Sequence, residues 1–300
     1  SKYPNLLSRI MASNLILLLT AALWGFAFVA QSKGSESLDA FSFNAIRFAL
    51  GALVVRLVLF KSFNKNRKFV WQPGLVLFIA ASLQQIGIIY TSAGSAGFIT
   101  GLYVLFVPLF GLYLGQKPDR YLWFAMALAL AGMYLINSIG GITASFGNLL
   151  VLFSAVFWAI HVQLVNTYSK LQSTGELALG QFSVCAVLSG ISAIIWRLYH
   201  HQGGILDPVY YRGFSTALLP ILYGGLISVG IAYTLQIKAQ QKADPAAAAV
   251  ILCLEGVFAL IGSFLILGEA IHVRNLGGAF LMLLAMILVS IPKKMLTETA

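Results

Sequence analysis

NLILLLTAALWGFAFVAQ, residues Asn14 to Gln31, contains eighteen residues, no charge and one tryptophan. At about 1.5 Å of rise per residue, a helix of this length roughly matches the hydrocarbon core of a bilayer. The stretch returns later in the chain as NLLVLFSAVFWAIHVQLV, Asn148 to Val165. A shift of 134 residues superposes Asn14 on Asn148, Leu15 on Leu149, Leu18 on Leu152, Ala21 on Ala155 and Trp24 on Trp158. The decision between an isolated membrane anchor and half of an internal duplication rests on whether the rest of the chain follows.

It does. The same shift sets Arg47 opposite Gln181 and Phe48 opposite Phe182. A shift of 152 lays Gln84 on Gln236, Leu102 on Leu254, Tyr103 on Glu255 and Phe106 on Phe258. One more residue of shift brings Leu112-Tyr113-Leu114-Gly115-Gln116 onto Leu265-Ile266-Leu267-Gly268-Glu269 and Leu130, Met133 and Leu135 onto Leu283, Met286 and Leu288. Ten apolar spans are read, near 12–31, 41–60, 72–90, 95–115, 120–138, 146–167, 176–198, 214–237, 246–267 and 272–291. Five of them make each copy, so the expected domains are 12–138 and 146–291. A unit of five spans starts on one side of a membrane and ends on the other, so its second copy runs inverted. Many secondary transporters use this arrangement.

Composition agrees. Of 300 residues, 59% are hydrophobic and 9% charged, with mean hydropathy +0.88. A soluble domain carries about 25% charged residues, so this chain lacks the charge to cover a water-facing surface. The long apolar runs exclude a membrane β-barrel, which shows alternating segments of about ten residues. The net charge of +10 does not point to nucleic acid, because the basic residues sit in short connections. With the N-terminus in the cytoplasm, thirteen Lys and Arg fall in inner segments and four in outer ones, with Arg47 and Arg56 inside the second span. The positive-inside bias therefore places the two termini in the cytoplasm, and the even number of spans agrees by requiring both on one side. A signal-peptide reading of the first span is set aside, because the run is too long for a signal core and recurs internally. Cys185 and Cys253, each inside an apolar run, read as small buried side chains with no metal spacing. HHQGGILDPVYYRG, His200 to Gly213, reads as the longest loop.

Thr91 to Gln116 (TSAGSAGFITGLYVLFVPLFGLYLGQ), its echo Ala243 to Glu269 (ADPAAAAVILCLEGVFALIGSFLILGE) and the mid-span Trp24 and Trp158 resemble the drug/metabolite transporter superfamily, in particular ten-helix EamA-type exporters. The resemblance covers roughly residues 12–291. It implies an all-α polytopic fold of two inverted five-helix repeats and alternating-access export of a small metabolite, such as an amino acid, across a bacterial inner membrane. The chain departs from the pattern at Gln116, where an acid is usual, and at Gly256, where proline is frequent.

Polar groups inside spans cost a few kcal/mol or more when they face lipid, so each needs an interior partner or a water-filled cavity. Symmetry mates are the natural lining of a cavity on a pseudo-two-fold axis. The expected substrate cavity accordingly contains Trp24, Arg47, Gln84, Tyr103, Trp158, His161, Gln181, Gln236 and Glu255. Glu255 lies about 14 Å along its helix from the inner end. It is read as a site for a substrate amine or a coupled proton, against a structural carboxylate held by a neighbouring helix. Arg47 is read as a carboxylate ligand or a helix–helix contact, and the aromatic residues as cavity wall or ordinary packing. His161 is read as a packing histidine before a proton group. Of adjacent Gln84 and Gln85, about 100° apart on a helix, Gln84 is the one expected to face the cavity. Pro108 is a candidate hinge or static kink in the fourth span.

The expected partners are a small-molecule metabolite, a coupled proton and the lipid bilayer, with no cofactor, no metal and no nucleic acid. A monomer is expected, with a dimer as the alternative. An uncoupled facilitator or exchanger is the second reading. A membrane-embedded enzyme is the third, and it lacks HExxH, a P-loop, GxSxG or paired acids within the spans.

Overall fold

A computed structural model describes residues 3–59, 69–137, 145–200, 207–268 and 270–291; Glu269 lies outside the described residues. Among these, nine helices are long and apolar enough to cross a membrane: span 1 (Ile10–Ser35), span 2 (Ala40–Val58), span 3 (Gln72–Ile89), span 4 (Ala93–Tyr113), span 6 (Phe146–Tyr168), span 7 (Thr174–Tyr199), span 8 (Leu218–Gln240), span 9 (Pro245–Leu267) and span 10 (Val273–Ser290). Span 5 is the shorter apolar helix Arg120–Leu135. Every expected span is present, and span 1 runs one turn further than its composition suggested.

Helix ends repeat with the register of the sequence alignment. Asp39 caps span 2 by accepting from Ser42 N, and Ser173, 134 residues on, caps span 7 by accepting from Glu176 N. Ser92 caps span 4, and Asp244, 152 residues on, caps span 9. Gly115 and Gly268 close those two spans with φ of 79° and 70°. Such left-handed residues are typical helix terminators, and glycine adopts them without a Cβ penalty. The Leu-Gly pairs noted in the sequence are thus the matched stops of spans 4 and 9.

Packing follows the same symmetry. Spans 2 and 7 pack on one another, as do spans 5 and 10, so each of these pairs is its own mate. Span 3 lies on span 6 as span 8 lies on span 1, and span 4 lies on span 6 as span 9 lies on span 1. The architecture is the all-helical inverted-repeat fold, with one continuous core that includes Leu17, Phe48, Leu77, Val104, Ala155, Phe182 and Ile251. Large apolar side chains such as Leu57, Phe124, Ile195, Leu265 and Phe280 point outward, where a bilayer offers hydrocarbon rather than water.

Two readings of the sequence are corrected here. The loop expected at 200–213 contains the start of a short helix, Pro208–Thr216, capped by Asp207 accepting from Val209 N. Asp-Pro is a helix opening, with proline at the first position where its missing N–H costs nothing. Tyr210 of this helix meets Ser42 of span 2 through a 2.8 Å hydroxyl contact. The second correction concerns span 4, which breaks at Leu102, not at Pro108. Span 9 breaks at the matching place without any internal proline, so proline is not the cause. Both breaks are tight turns with three-residue spacing: Leu102 N donates to Ile99 O, and Leu254 N donates to Ile251 O.

Candidate functional site

The two breaks decide where the polar groups go. The second half-helix of span 4 begins at Tyr103, and that of span 9 begins at Glu255. Both side chains are about 3% exposed and line one cavity between the repeats. Discontinuous helices that carry polar residues at their restart are a recurrent way to build a transport site at mid-membrane depth.

Eight of the nine residues expected from the sequence line this cavity: Trp24, Arg47, Gln84, Tyr103, Trp158, His161, Gln236 and Glu255. Gln181 does not. It stands behind His161, 2.8 Å from the ring Nε2 through its Oε1, and so positions the imidazole. Trp158 Nε1 donates to Gln84 Oε1 at 3.0 Å, while its mate Trp24 donates to the backbone oxygen of Ser228 at 3.3 Å. One tryptophan is held by a side chain and the other by a main chain, so the symmetric scaffold carries an asymmetric lining.

Arg47 is 2% exposed. Its Nε donates to Asn44 Oδ1 at 2.9 Å, and Asn44 is fixed by donating to Ala81 O at 3.0 Å. The guanidinium carbon lies 4.9 Å from the Phe48 ring centre and 5.7 Å from that of Phe43. Cation–π contact offsets part of the cost of burial. Among the described residues the ion pair present is Lys33–Glu36, both exposed. Arg47 and Glu255, a base and an acid, therefore line one cavity, and neither has an ion-pair partner among the described residues.

Among the described residues several cavity oxygens also lack a hydrogen-bond partner: Gln31 Oε1, Thr100 Oγ1, Gln236 Oε1 and Glu255 Oε1. The Nδ1 of His161 is likewise unpartnered. A buried polar atom left unsatisfied costs about 1–3 kcal/mol, and a concentration of such atoms around one space suits a ligand rich in donors. Gln31, Thr100, Ser228 and Tyr233 were not expected from the sequence. They lie in runs of small or apolar residues and have no polar mate in the other repeat.

The free space in the cavity is about 30 Å³, room for roughly two water molecules. A second space of about 500 Å³ opens at the end of the bundle where spans 1 and 3 finish, lined by Ser35, Asp39, Tyr90, Trp196, Arg197 and Tyr210 among others. Gln85 sits between the two. Its Nε2 donates to Gln31 O at 3.1 Å and Ser35 Oγ at 2.8 Å. Gln31 belongs to the inner space and Ser35 to the outer one, so this contact joins spans 1 and 3 across the boundary. Gln84 faces the cavity and Gln85 makes the seal, as adjacent helical positions require.

Trp24 provides a first test of the lining, since it packs against Tyr233 with ring centres 4.6 Å apart and one edge on the cavity. Trp24→Ala is expected to weaken ligand binding about tenfold, comparable with loss of an aromatic pair and its buried area, while the purified protein stays folded. Affinity and unfolding temperature measured on one preparation decide this. A variant that fails to fold assigns Trp24 to packing.

Comparison with known proteins agrees with this picture. Residues 11–138 and 145–291 each match the EamA-like transporter family. A protein named as an uncharacterized transporter of Archaeoglobus fulgidus is 30% identical over 282 residues, covering 93% of this chain and 86% of that one. The uncharacterized transporter YwfM of Bacillus subtilis is 27% identical over 301 residues, covering 96% and 97%. A solved crystal structure shares the fold, with a TM-score of 0.76 at 18% identity over 93% of this chain and 96% of that one. The chain is a multi-pass membrane protein that belongs to the EamA-like transporter family.

Proposed function

We propose that this protein exports a small zwitterionic metabolite, an amino acid or a close relative, across the bacterial inner membrane by alternating access. The observation that carries the reading is a base and an acid in one chamber, Arg47 and Glu255, neither with an ion-pair partner among the described residues. A ligand with a carboxylate and an ammonium answers both. The carboxylate accepts from the guanidinium, whose planar fork matches it, and the ammonium donates to Glu255 and the unpartnered oxygens of Gln236 and Gln31. Either charge left alone at this depth is costly, so a bound zwitterion stabilises the chamber on both sides.

Glu255 holds either an ammonium or a proton, not both at full strength. Competition for one carboxylate is a direct route to exchange of substrate against protons. The inverted repeat, the contracted chamber and the separate vestibule support a cycle in which the two ends open in turn. The excess of basic residues in the loops on the opposite side supports a vestibule facing outward and both termini in the cytoplasm.

Reconstitution into liposomes tests the reading. Labelled neutral amino acids are expected to cross, and to be driven by an imposed pH gradient. If no such compound moves under any gradient while a supplied substrate is chemically altered, the transporter of zwitterions is lost and an enzyme replaces it. Movement without any response to the pH gradient favours an uncoupled facilitator.

A further inference from the structure

Span 8 is not an ordinary helix. Between Leu218–Leu222 and Thr234–Gln240 its hydrogen bonding is of the wide π type, over Tyr223–Tyr233. Stretches of this kind are rare and gather at functional sites, because each wide turn re-aims the side chains that follow. Its symmetry mate, span 3, is α-helical throughout Gln72–Ile89. The two spans still agree at Gln84 and Gln236, both on the cavity. Three residues earlier they differ: Ala81 in span 3 stands where span 8 has Tyr233. A methyl group in one repeat is a phenol in the other.

That phenol is the hub of the chamber's aromatic wall. Its ring centre lies 4.6 Å from Trp24, 5.9 Å from Phe182, and 6.1 Å from each of Phe48, Trp158 and His161. It is 5% exposed and lines the cavity. Arg47 and Glu255 line the same cavity. Among the described residues no hydrogen bond fixes that hydroxyl, although its ring is held on several sides.

We infer that Tyr233 is the specificity-determining residue of the chamber: its ring fills space in the cavity that the two poles, Arg47 and Glu255, also line and confines the ligand to zwitterions with small side chains. The inference rests on the proposed function for the identity of the two poles. The space beside the poles is already filled by the phenol and its five ring neighbours, so a bulky substituent has to displace it. The hydroxyl, on the wall of the chamber, is available to donate to a ligand carboxylate or accept from an ammonium.

The test is equilibrium binding to the purified protein of two graded series: alanine, leucine, phenylalanine and tryptophan, and simple primary amines from methylamine to phenethylamine. The wild-type protein is expected to prefer the small member of each series. Tyr233→Ala is expected to shift the tryptophan-to-alanine ratio by at least about tenfold toward tryptophan, the scale on which pocket size discriminates. Tyr233→Phe is expected to keep the size order and weaken all zwitterions roughly threefold to tenfold, the loss of one hydrogen bond. Gel filtration reports folding, and if Tyr233→Ala does not fold, Tyr233→Leu replaces it with the same expected shift. A folded variant lacking the ring that retains the wild-type size order overturns the inference, as does a wild type with no size order. If amines bind in size order and respond to Tyr233 while zwitterions do not bind, the partition stands and the zwitterion reading falls.

Discussion

Glu255→Gln is expected to cut transport about 10- to 100-fold, to flatten its pH dependence, and to leave the protein as stable as before or more so. The first figure follows from the value of a hydrogen bond to a charged group, about 1.5–3 kcal/mol. The second follows from removing the group that exchanges a proton for an amine. The third separates a functional carboxylate from a structural one. A carboxylate that glues helices together has a cation or donors around it, and removing its charge unfolds the site. Glu255 is 3% exposed and, among the described residues, has no ion-pair partner and leaves Oε1 unpartnered. Removing an acid buried without a cation relieves the cost of its charged form instead of creating one. Initial uptake rates across pH and an unfolding curve in the same detergent read both sides. Wild-type transport at every pH removes Glu255 from the site, and a large drop in stability returns it to a structural role.

Gly25→Ala is expected to lower the unfolding temperature by several degrees and reduce the yield of monodisperse protein. Gly25 lies where span 1 crosses span 9, and an added Cβ would fall on Phe258 Cβ, 2.7 Å from Glu255 O and 2.8 Å from Ala259 N. Two of those atoms are backbone and cannot swing aside. Overpacking of a well-filled contact costs about 1–3 kcal/mol and occasionally more, and the rigid neighbours place this site at the upper end. Gly190→Ala is the control, because an added Cβ there meets nothing within 4 Å, and the higher helix propensity of alanine favours it by about 1 kcal/mol. Thermal unfolding of the two variants side by side decides the matter. Equal stability refutes the close approach. Because the clash reaches the carbonyl of Glu255 itself, any surviving Gly25→Ala protein is also expected to bind ligand poorly.

The scaffold and most of the lining were legible in the sequence for one physical reason. A polar side chain within an apolar run is costly, so it marks an interior surface, and an inverted repeat brings matched positions to a shared axis. Trp24 with Trp158, Gln84 with Gln236, and Tyr103 with Glu255 carry both signals, and all six reach the cavity. Gln181 carried the pairing signal through Arg47 but sits one layer back, a difference of side-chain direction that register alone does not encode. Tyr233 carried neither signal. Its mate is alanine, a tyrosine among apolar residues reads as packing, and the π-helical turns that aim it leave the apolar pattern of the span unchanged. The helix at Pro208 went unread because Asp-Pro-Val was taken as a turn, although the same residues open a helix when a cap is needed.

The contact of Gln85 with Gln31 and Ser35 has a thermal consequence. Its register equivalents at the other end of the bundle are Ile237, Val165 and Ser169, all buried, the first two fully. Parting the glutamines hands hydrogen bonds to water at small net cost. Wetting the isoleucine and valine exposes hydrocarbon and raises the heat capacity, and this hydrocarbon closure weakens on cooling. A frame that is two-fold in shape therefore has ends that respond unequally to temperature, which the labelling rate of cysteines placed at Ser35 and Ser169 measures as the sample is warmed.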